Sequence, residues 1–164
     1  TVSFVQGGPQ LPASITVDSL GSWTDFVGDE YKAFSGTAVY TTTINKVPVA
    51  DVIKLDLGSV AENASVYLNG DYIGTVIDSP YQLYIPAEKF KGQDELVVRV
   101  ANSMANRIAY MDKKGVDWKI FYNVNMSARK KENVKNGIFD ASDWEPKFSG
   151  LLGPVTLTPA MVKQ

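Results

Sequence analysis

The sequence predicts an all-β sandwich, and three features support that expectation. Apolar and polar side chains alternate in many short segments, as in strands that bury one face. β-Branched residues are frequent in these segments, and helical periodicity is nearly absent. The length of 164 residues is the ordinary size of one domain. We therefore expect residues 1–164 to fold as a single β-sandwich domain.

The strands can be placed in order along the chain. The clearest alternation predicts strands at 37–44, 53–57, 66–68, 72–76, 81–85, 96–101 and 155–157, with weaker candidates at 2–5 and 14–17. Asn69-Gly70 tolerates positive φ angles and predicts a type I′ hairpin between the third and fourth of the clear strands. Pro86 ends the fifth, because proline cannot donate to a sheet. About eight or nine strands is the number expected of a jelly-roll sandwich.

The same alternation predicts the residues of the core between the sheets. Side chains two positions apart share one face of a strand, so each apolar set points inward together. The predicted inter-sheet core contains Leu55, Val66, Leu68, Leu96, Val98 and Val100. Trp23, which lies between predicted strands, is expected to fill the end of the sandwich rather than to stack on a ligand.

One stretch, residues 102–149, lacks clean alternation and is predicted to be a long loop. Loops of this length in compact domains usually carry function or are disordered, and the aromatic content here favours order. The aromatic side chains are Trp118, Phe121, Tyr122, Phe139 and Trp144. Residues 102–135 carry a net charge of +5, whereas the rest of the chain carries −7. This basic part could meet an acidic glycan or an acidic neighbouring domain, or it could be a solvated loop.

Composition excludes several kinds of chemistry. The chain contains neither cysteine nor histidine, which removes disulfides, thiolate metal sites and every catalytic arrangement that needs imidazole. Catalysis would have to use carboxylates, Tyr, Lys or Arg. No run of 18 apolar residues indicates a membrane span. Because Thr1 is not an initiator Met, we expect a fragment or a processed chain.

Six motifs in order give the sequence a resemblance to a known family. They are LGSWTDF, FSGTAVYTTTI, KLDLGSVAENASVYLNGDYIG, PYQLYIP, LVVRVANSMANRI and SGLLGPVTLTP. Together they resemble the sugar-binding sandwich domain of glycoside hydrolase family 2. The stretch from NRI through GVDWKIFYNVN to DWEPKFSGLLGPV is more similar to the terminal sandwich of rhamnosidase-type enzymes such as glycoside hydrolase family 106. The resemblance covers nearly the whole chain.

The resemblance implies a galactose-binding-like jelly roll beside a catalytic barrel that supplies the catalytic carboxylates. It implies carbohydrate and the catalytic domain of the same parent chain as partners, with neither nucleic acid nor membrane among them, and a periplasmic or secreted location. Domains of this kind often carry a structural calcium ion. The cluster of Asp18, Asp25, Asp29 and Glu30 has suitable oxygen ligands, but no loop motif supports it, so we assign no metal and no other cofactor.

The long loop contains the candidate ligand-binding residues. Trp118, Lys119, Tyr122 and Asn123 offer a stacking face with polar neighbours, and Trp144 could join them. The alternative is that Trp118 and Phe121 form a satellite core under the loop, which Trp144 could equally join. Asn106 and Arg107, just after the strongest strand, could hydrogen-bond sugar hydroxyls or a carboxylate. Equally, Arg107 could bind backbone carbonyls and hold the loop in place.

Three functions are compatible with these features. The preferred one is a non-catalytic accessory domain that braces the catalytic barrel and contributes a loop to carbohydrate binding. The alternatives are an autonomous carbohydrate-binding module and, with less support, a small polysaccharide lyase that uses Tyr, Lys and Arg. A glycosidase would need two carboxyl groups about 5 to 9 Å apart. The loop supplies Asp112, Asp117, Glu132, Asp140, Asp143 and Glu145 as candidates.

Overall fold

The computed structural model describes residues 1–120 and 130–160, and strands make up most of the regular structure in these ranges. Within these ranges two helices have α geometry, α1 (Asp29–Ala33) and α2 (Ala105–Lys113). The strands are β1 (Val2–Gly8), β2 (Ser35–Ile44), β3 (Val52–Asp56), β4 (Ser59–Ala61), β5 (Asn63–Leu68), β6 (Asp71–Val76), β7 (Gln82–Pro86), β8 (Asp94–Ala101), β9 (Val134–Lys135), β10 (Ile138–Phe139), β11 (Gly150–Gly153) and β12 (Thr156–Ala160). Eight of these described strands have five or more residues, in agreement with the predicted number.

Antiparallel pairing assembles the strands into two main sheets. The larger sheet has five strands in the order β1-β2-β8-β5-β6, and the smaller has three in the order β12-β3-β7. All neighbouring strands in both sheets are antiparallel. Two further ladders join β4 to β11 and β9 to β10. The all-β sandwich predicted from the sequence is confirmed.

The core lies between the two sheets, and the six residues predicted for it are all buried. Val66 on β5 pairs with Val98 on β8, so the two side chains share the inward face of the larger sheet. Leu55 on β3 faces them from the smaller sheet. Leu68, Leu96 and Val100 complete the set, with at most 4% of any of the six side chains exposed. Alternation therefore identified the inward face of each of these strands correctly.

The β5–β6 hairpin contains the predicted turn. Asn69 has a φ angle of 52° and Gly70 one of 85°, the two positive values that a type I′ turn requires. Asn69 does more than form the turn. Its side-chain nitrogen donates to Asp94 over 2.7 Å, and its oxygen accepts from the Glu95 N–H over 3.0 Å. The turn residue thus ties the hairpin to the start of β8.

The chain departs from the prediction at one weak strand and in the long loop. Residues 14–17 form only an isolated bridge, between Ile15 and Val2, rather than a strand. The segment 102–149 is not a simple loop, because it contains α2, a 3₁₀ turn (Lys131–Asn133) and the β9–β10 hairpin. The described part of this segment is ordered, as expected, but it contains regular secondary structure that the prediction of one long loop did not include.

Backbone geometry explains how α2 ends. The N–H of Val116 donates to the carbonyl of Met111 over 2.9 Å, and the N–H of Gly115 donates to that of Asp112 over 3.1 Å. This pair of bonds is a Schellman motif, which needs a left-handed residue, and Gly115 provides it with a φ angle of 67°. The sequence contains this C-terminal helix signal, because two lysines, Lys113 and Lys114, are followed by Gly115.

Trp23 is fully buried in the main core cluster, which confirms the predicted packing role rather than stacking on a ligand. Its ring packs edge-on against Phe4 and Phe34, with centroids 5.6 Å from each. Gly150 gives the ring its space, because a Cβ there would lie 2.9 Å from the indole and 2.3 Å from the Tyr40 hydroxyl.

Within the described ranges, no helix is long and apolar enough to cross a membrane.

Candidate functional site

Helix α2 organises the candidate site, because its faces contact three different surroundings. Ile108 and Asp112, four residues apart, point into a small apolar cluster beside the sandwich. Asn106, Tyr110 and Lys113, also spaced three or four residues apart, line a groove. Arg107 points toward the end of β1. One short helix therefore connects the sandwich to the polypeptide that follows it.

The apolar cluster, here called the satellite core, consists of Ile108, Trp118, Phe139, Ala141 and Trp144. Phe139 and Ala141 are buried, and the rings of Phe139 and Trp144 meet edge to face with centroids 5.7 Å apart. Trp118 packs against this cluster and is only half-buried. The satellite-core interpretation therefore holds for Trp118. Phe121, Tyr122 and Asn123 lie outside the described residues.

The Asp112 carboxylate holds the satellite core together. It accepts hydrogen bonds from the Trp118 indole over 2.7 Å, from the Ala141 N–H over 2.8 Å, and from the Lys119 ammonium. Its side chain is 1% exposed, so these donors replace the water that a charged carboxylate would otherwise need. The three bonds join α2 to two segments that come later in the chain.

The Lys119 side chain contacts Asp112 and Trp118 at the edge of the satellite core. Its ammonium pairs with Asp112 and lies 5.2 Å from the centroid of the Trp118 ring. The two side chains therefore form a cation–π pair, an interaction that contributes about 0.5–1 kcal/mol when it is exposed or partly buried. Trp118 and Lys119 lie together, as the sequence suggested, and both donate hydrogen bonds to Asp112 of the same chain. Their role in ligand binding stays a prediction.

The positive charge of residues 102–135 is partly neutralised by the segment that follows. Lys135 lies 3.3 Å from an oxygen of Asp140 and 3.1 Å from one of Asp143. Hydrogen bonding from the Ser142 hydroxyl lowers the pKa of Asp140, burial opposes the shift, and the Ser142 N–H and Lys135 add to it. Counting charge along the sequence missed this pairing, because the acceptors come after residue 135.

Asn106 uses its whole amide to fix the backbone of residues 147–149. Its nitrogen donates to the Lys147 carbonyl over 3.0 Å and to the Ser149 hydroxyl over 3.2 Å, while its oxygen accepts from the Lys147 N–H over 2.8 Å. The residue is 4% exposed. These bonds give Asn106 a structural role that the sequence suggested only for its neighbour Arg107. A direct contact with sugar stays a prediction.

Arg107 lies on a different face of α2 from the groove. Its backbone N–H donates to the Ser35 hydroxyl over 3.1 Å, and its guanidinium lies against Gly8, where a Cβ would be 2.9 Å from the guanidinium carbon. The Nε atom is buried, and within the described part of the chain it has no hydrogen-bond partner. The residue packs α2 onto β1 and β2, and its contact with ligand is likewise still a prediction.

A groove of about 540 Å³ runs between α1, α2 and residues 142–146. Two of the candidate residues, Asn106 and Trp144, line it, whereas Arg107, Trp118 and Lys119 do not. Trp144 is half-buried, and its indole donates to Asn133 over 2.8 Å, which fixes the ring. The groove therefore has one immobilised aromatic wall.

Sequence reasoning missed Tyr110, Lys113 and Lys114 as groove residues, because they lie on α2 or at its C-terminal end and that helix was not predicted. Tyr110 provides a second aromatic side chain, and its ring centroid lies 5.8 Å from the Lys114 ammonium. Six charged residues line the groove, three of each sign: Lys32, Lys113, Lys114, Asp29, Asp143 and Glu145. The balance of signs and the paired rings suit a polar ligand with apolar faces better than a purely anionic one.

The acidic residues considered for calcium do not form a recognisable site. Asp29 and Glu30 lie in the first turn of α1, and Asp25 lies in the 3₁₀ turn before it. Within residues 1–120 and 130–160, no group of three or more carboxylates is arranged to hold a metal ion.

The chain is similar to parts of several carbohydrate-active proteins. It is 32% identical to a protein of Formosa agariphila named "Putative beta-glucuronidase", in a match over 91% of this chain and 14% of that protein. The rhamnosidase from Novosphingobium sp. PP1Y matches 95% of this chain and 14% of its own, with 30% identity and a TM-score of 0.74. No family model matches the chain.

A solved family 2 beta-galacturonidase from Eisenbergiella tayi shares the fold. The match covers 62% of this chain and 18% of that one, with 20% identity and a TM-score of 0.50. The chain thus spans about a seventh of the Formosa protein and of the rhamnosidase, a domain-sized part of each. The resemblance read from the sequence motifs is confirmed, because the chain is similar to a domain-sized part of these glycoside hydrolases.

Proposed function

We propose that this chain is a non-catalytic domain of a glycoside hydrolase, one that braces the catalytic barrel and presents its groove to carbohydrate. The relatives support the first part, because the chain matches only 14% of the rhamnosidase and of the Formosa protein. Their remaining residues are more than enough for a separate catalytic domain. The proposal takes residues 1–164 as one folding unit, which a single cooperative unfolding transition would support and two separate transitions would contradict.

The observation that carries the non-catalytic assignment is how three carboxylates, Asp112, Asp140 and Asp143, are bonded within the protein. A glycosidase general acid needs a raised pKa, and its partner carboxylate must be free to reach the sugar. Both oxygens of Asp112 are occupied by protein donors, and the pKa of Asp140 is lowered by the Ser142 hydroxyl, against burial. Asp143 is paired with Lys135. These three groups are engaged in structure rather than poised for acid catalysis.

The groove supports the carbohydrate part of the proposal. Its volume of about 540 Å³ lies within the range of about 300–1,000 Å³ that is usual for small-molecule sites. Tyr110 and Trp144 supply aromatic surface for the apolar face of a pyranose, and the lysines and carboxylates around them supply partners for hydroxyl groups. The uronidase names of the relatives make uronic acid sugars the first ligands to test.

Binding and hydrolysis assays on the purified chain test both parts. We expect no hydrolysis of aryl glycosides and a measurable heat of binding with an oligosaccharide of the parent enzyme's substrate class. Tyr110→Ala should weaken that binding by ~10-fold or more, whereas Tyr84→Ala should leave it unchanged, since Tyr84 is exposed on β7 away from the groove. Turnover that survives purification and is lost in Asp117→Ala or Asp143→Ala would show instead that the domain is an enzyme.

An autonomous carbohydrate-binding module is the second candidate, and the aromatic walls of the groove favour it. The difference lies in affinity. An autonomous module binds glycan without the barrel as tightly as with it, whereas an accessory domain gains affinity only when the barrel completes the site. A polysaccharide lyase has less support, because Lys119 and Lys135 are already paired with carboxylates. Turnover of a uronate polymer by the purified chain would favour the lyase function after all.

We also propose a periplasmic or secreted location, which rests on the resemblance alone. Fractionation of the producing cells checks it, because detection of the protein only in the cytoplasmic fraction would contradict the proposal.

A further inference from the structure

The outer face of the larger sheet carries a cluster of outward-pointing side chains, some exposed and some half-buried, that neither the groove nor the satellite core uses. It consists of Ser65 and Tyr67 on β5, Tyr72 and Thr75 on β6, and Arg99 on β8, and is called here the tyrosine face. Since Val66 and Val98 point into the core, their sequence neighbours Ser65, Tyr67 and Arg99 point away from it.

Strand register places these residues in adjacent rows. Arg99 pairs with Ser65, and Ser65 pairs with Thr75, so the row crosses three strands. Two inter-strand spacings separate Arg99 from Thr75 along the row, a distance of about 10 Å. Tyr67 pairs with Tyr72 in the next row. The sheet thus holds a cation, two aromatic rings and hydroxyl groups on one rigid surface.

A bulge in the β5–β6 ladder makes this arrangement possible. The register shifts between Val66 and Tyr67, so that Tyr72 lies opposite Tyr67 while Thr75 lies opposite Ser65. Tyr72 and Thr75 are three positions apart and would point to opposite faces of a regular strand. Bulges commonly re-aim side chains in this way beside functional sites.

The polar groups of the face are already oriented. The Tyr72 hydroxyl lies 2.9 Å from the Thr75 hydroxyl, which in turn lies 2.7 Å from the Ser65 hydroxyl. The Tyr67 and Tyr72 rings have centroids 5.5 Å apart and an interplanar angle of 59°, and Tyr72 is 59% exposed. A hydroxyl chain of this kind can donate to or accept from a ligand after a small rotation of its hydrogens.

Arg99 adds an available positive charge. Its side chain is exposed, and within residues 1–120 and 130–160 it forms no ion pair and no side-chain hydrogen bond. A guanidinium binds a carboxylate through two parallel hydrogen bonds, whereas it gains little from a neutral hydroxyl. Its neighbours across the ladders are Val39 and Ser65, which bring no competing charge.

We infer that the tyrosine face is a second carbohydrate site, selective for an acidic sugar residue. The sugar carboxylate binds Arg99, its hydroxyl groups bind the Ser65–Thr75–Tyr72 chain, and an apolar ring face stacks on the exposed tyrosine. The inference takes carbohydrate as the ligand class from the proposed function, but it depends on none of the groove residues. The two sites can therefore succeed or fail separately.

Titration of the full chain with a galacturonate oligosaccharide and with the matching neutral galactose oligosaccharide tests the inference. We expect the acidic probe to bind at least ~10-fold more tightly, and Arg99→Gln to remove that preference. Tyr72→Ala should weaken both probes by ~10-fold or more, and Tyr72→Phe, which keeps the ring, should weaken them less. Amide NMR shifts from the acidic probe should cluster on β5, β6 and β8.

Two controls separate this site from the groove and from unfolding. Tyr84→Ala removes an equally exposed tyrosine from β7 and should bind like the wild type. Tyr110→Ala alters only the groove and should leave the β5, β6 and β8 shifts intact. The inference is overturned if neither probe shifts these strands, if Arg99→Gln and Tyr72→Ala bind as the wild type does, or if the face binds only a protein partner. Melting curves check that each variant is folded.

Discussion

The indole nitrogen of Trp118 donates a hydrogen bond of 2.7 Å to a carboxylate oxygen of Asp112, six residues earlier in the chain. The other oxygen of the same carboxylate accepts from the Ala141 N–H, 29 residues later. One buried side chain therefore connects the end of α2 to both the segment after it and the segment before β11. The satellite core is therefore stabilised by this connection as well as by its apolar contacts.

Asp112→Ala should loosen the satellite core without unfolding the sandwich. The substitution leaves the Trp118 and Ala141 N–H groups and the Lys119 cation without their acceptor, a loss of about 2–3 kcal/mol in local stability. Hydrogen exchange of the amides in α2 and β10 measures the effect, with Trp fluorescence as a second signal. The matched control is Asp117→Ala, since Asp117 is an exposed carboxylate in the same segment and should change stability by under ~0.5 kcal/mol. Equal exchange in the two variants would argue against the assigned role.

Val98→Asp should abolish folding. Val98 lies between Val66 and Tyr40 in the larger sheet with 2% of its surface exposed, so the new carboxylate would be buried without a partner. Far-ultraviolet circular dichroism and soluble yield measure the outcome. Val49→Asp places the same charge on a valine that is fully exposed, and it should fold normally. A soluble Val98→Asp protein that melts at the wild-type temperature would contradict the assignment of the core.

The sequence was sufficient to predict the sandwich because the pattern that marks each strand lies within that strand's own residues. A strand that buries one face repeats every two residues, so Leu96, Val98 and Val100 reveal their common direction without any knowledge of their partners. The Asn69-Gly70 turn is local in the same sense. The strands that were missed, β4, β9, β10 and β11, have four residues or fewer, and β11 has the sequence Gly-Leu-Leu-Gly, in which no alternation can be seen.

The satellite segment could not be predicted in the same way, because distant partners determine it. Helix α2 is nine residues long, and its N-cap residue, Met104, offers no side-chain oxygen to mark the start. The bonds that fix Asn106 reach residues 41 and 43 positions away. Trp118 and Lys119 are adjacent in the sequence, but the sequence could not show that Asp112 forms hydrogen bonds with both of them. Without α2, there was no basis for placing Tyr110 in a groove with Trp144.

Asn106→Ala should destabilise residues 147–149 and, through them, the start of β11. The change removes three hydrogen bonds from a buried amide and leaves the Lys147 N–H and carbonyl without those partners, so we expect a loss of about 1–3 kcal/mol. Denaturant unfolding measures the loss, and Asn45→Ala, at an exposed asparagine, is the control. If Asn106→Ala kept full stability and instead lost glycan affinity, the residue would be a ligand contact rather than a structural one.

Tyr40 should make the stability of the protein depend on pH in the alkaline range. Burial raises the pKa of Tyr40 to about 12, even though a hydrogen bond from the Leu151 N–H opposes the shift. Between pH ~10, the pKa of an unfolded tyrosine, and pH ~12, the unfolded chain loses this proton while the folded chain keeps it. The free energy of unfolding contributed by Tyr40 is therefore complete below pH ~10 and falls by roughly 2–3 kcal/mol as the pH rises to 12.

Tyr40→Phe isolates this effect from the lysines that titrate in the same range. At pH 7 the variant should be about 1 kcal/mol less stable, because the Leu151 N–H loses its acceptor. Above pH ~10 its free energy of unfolding should fall less steeply than that of the wild type, so the two curves converge or cross before pH 12. Tyr84→Phe, at an exposed tyrosine, should run parallel to the wild type throughout. Urea unfolding at intervals from pH 8 to ~11.5 measures all three proteins, and parallel curves for Tyr40→Phe and the wild type would show that the Tyr40 hydroxyl titrates as an exposed phenol does.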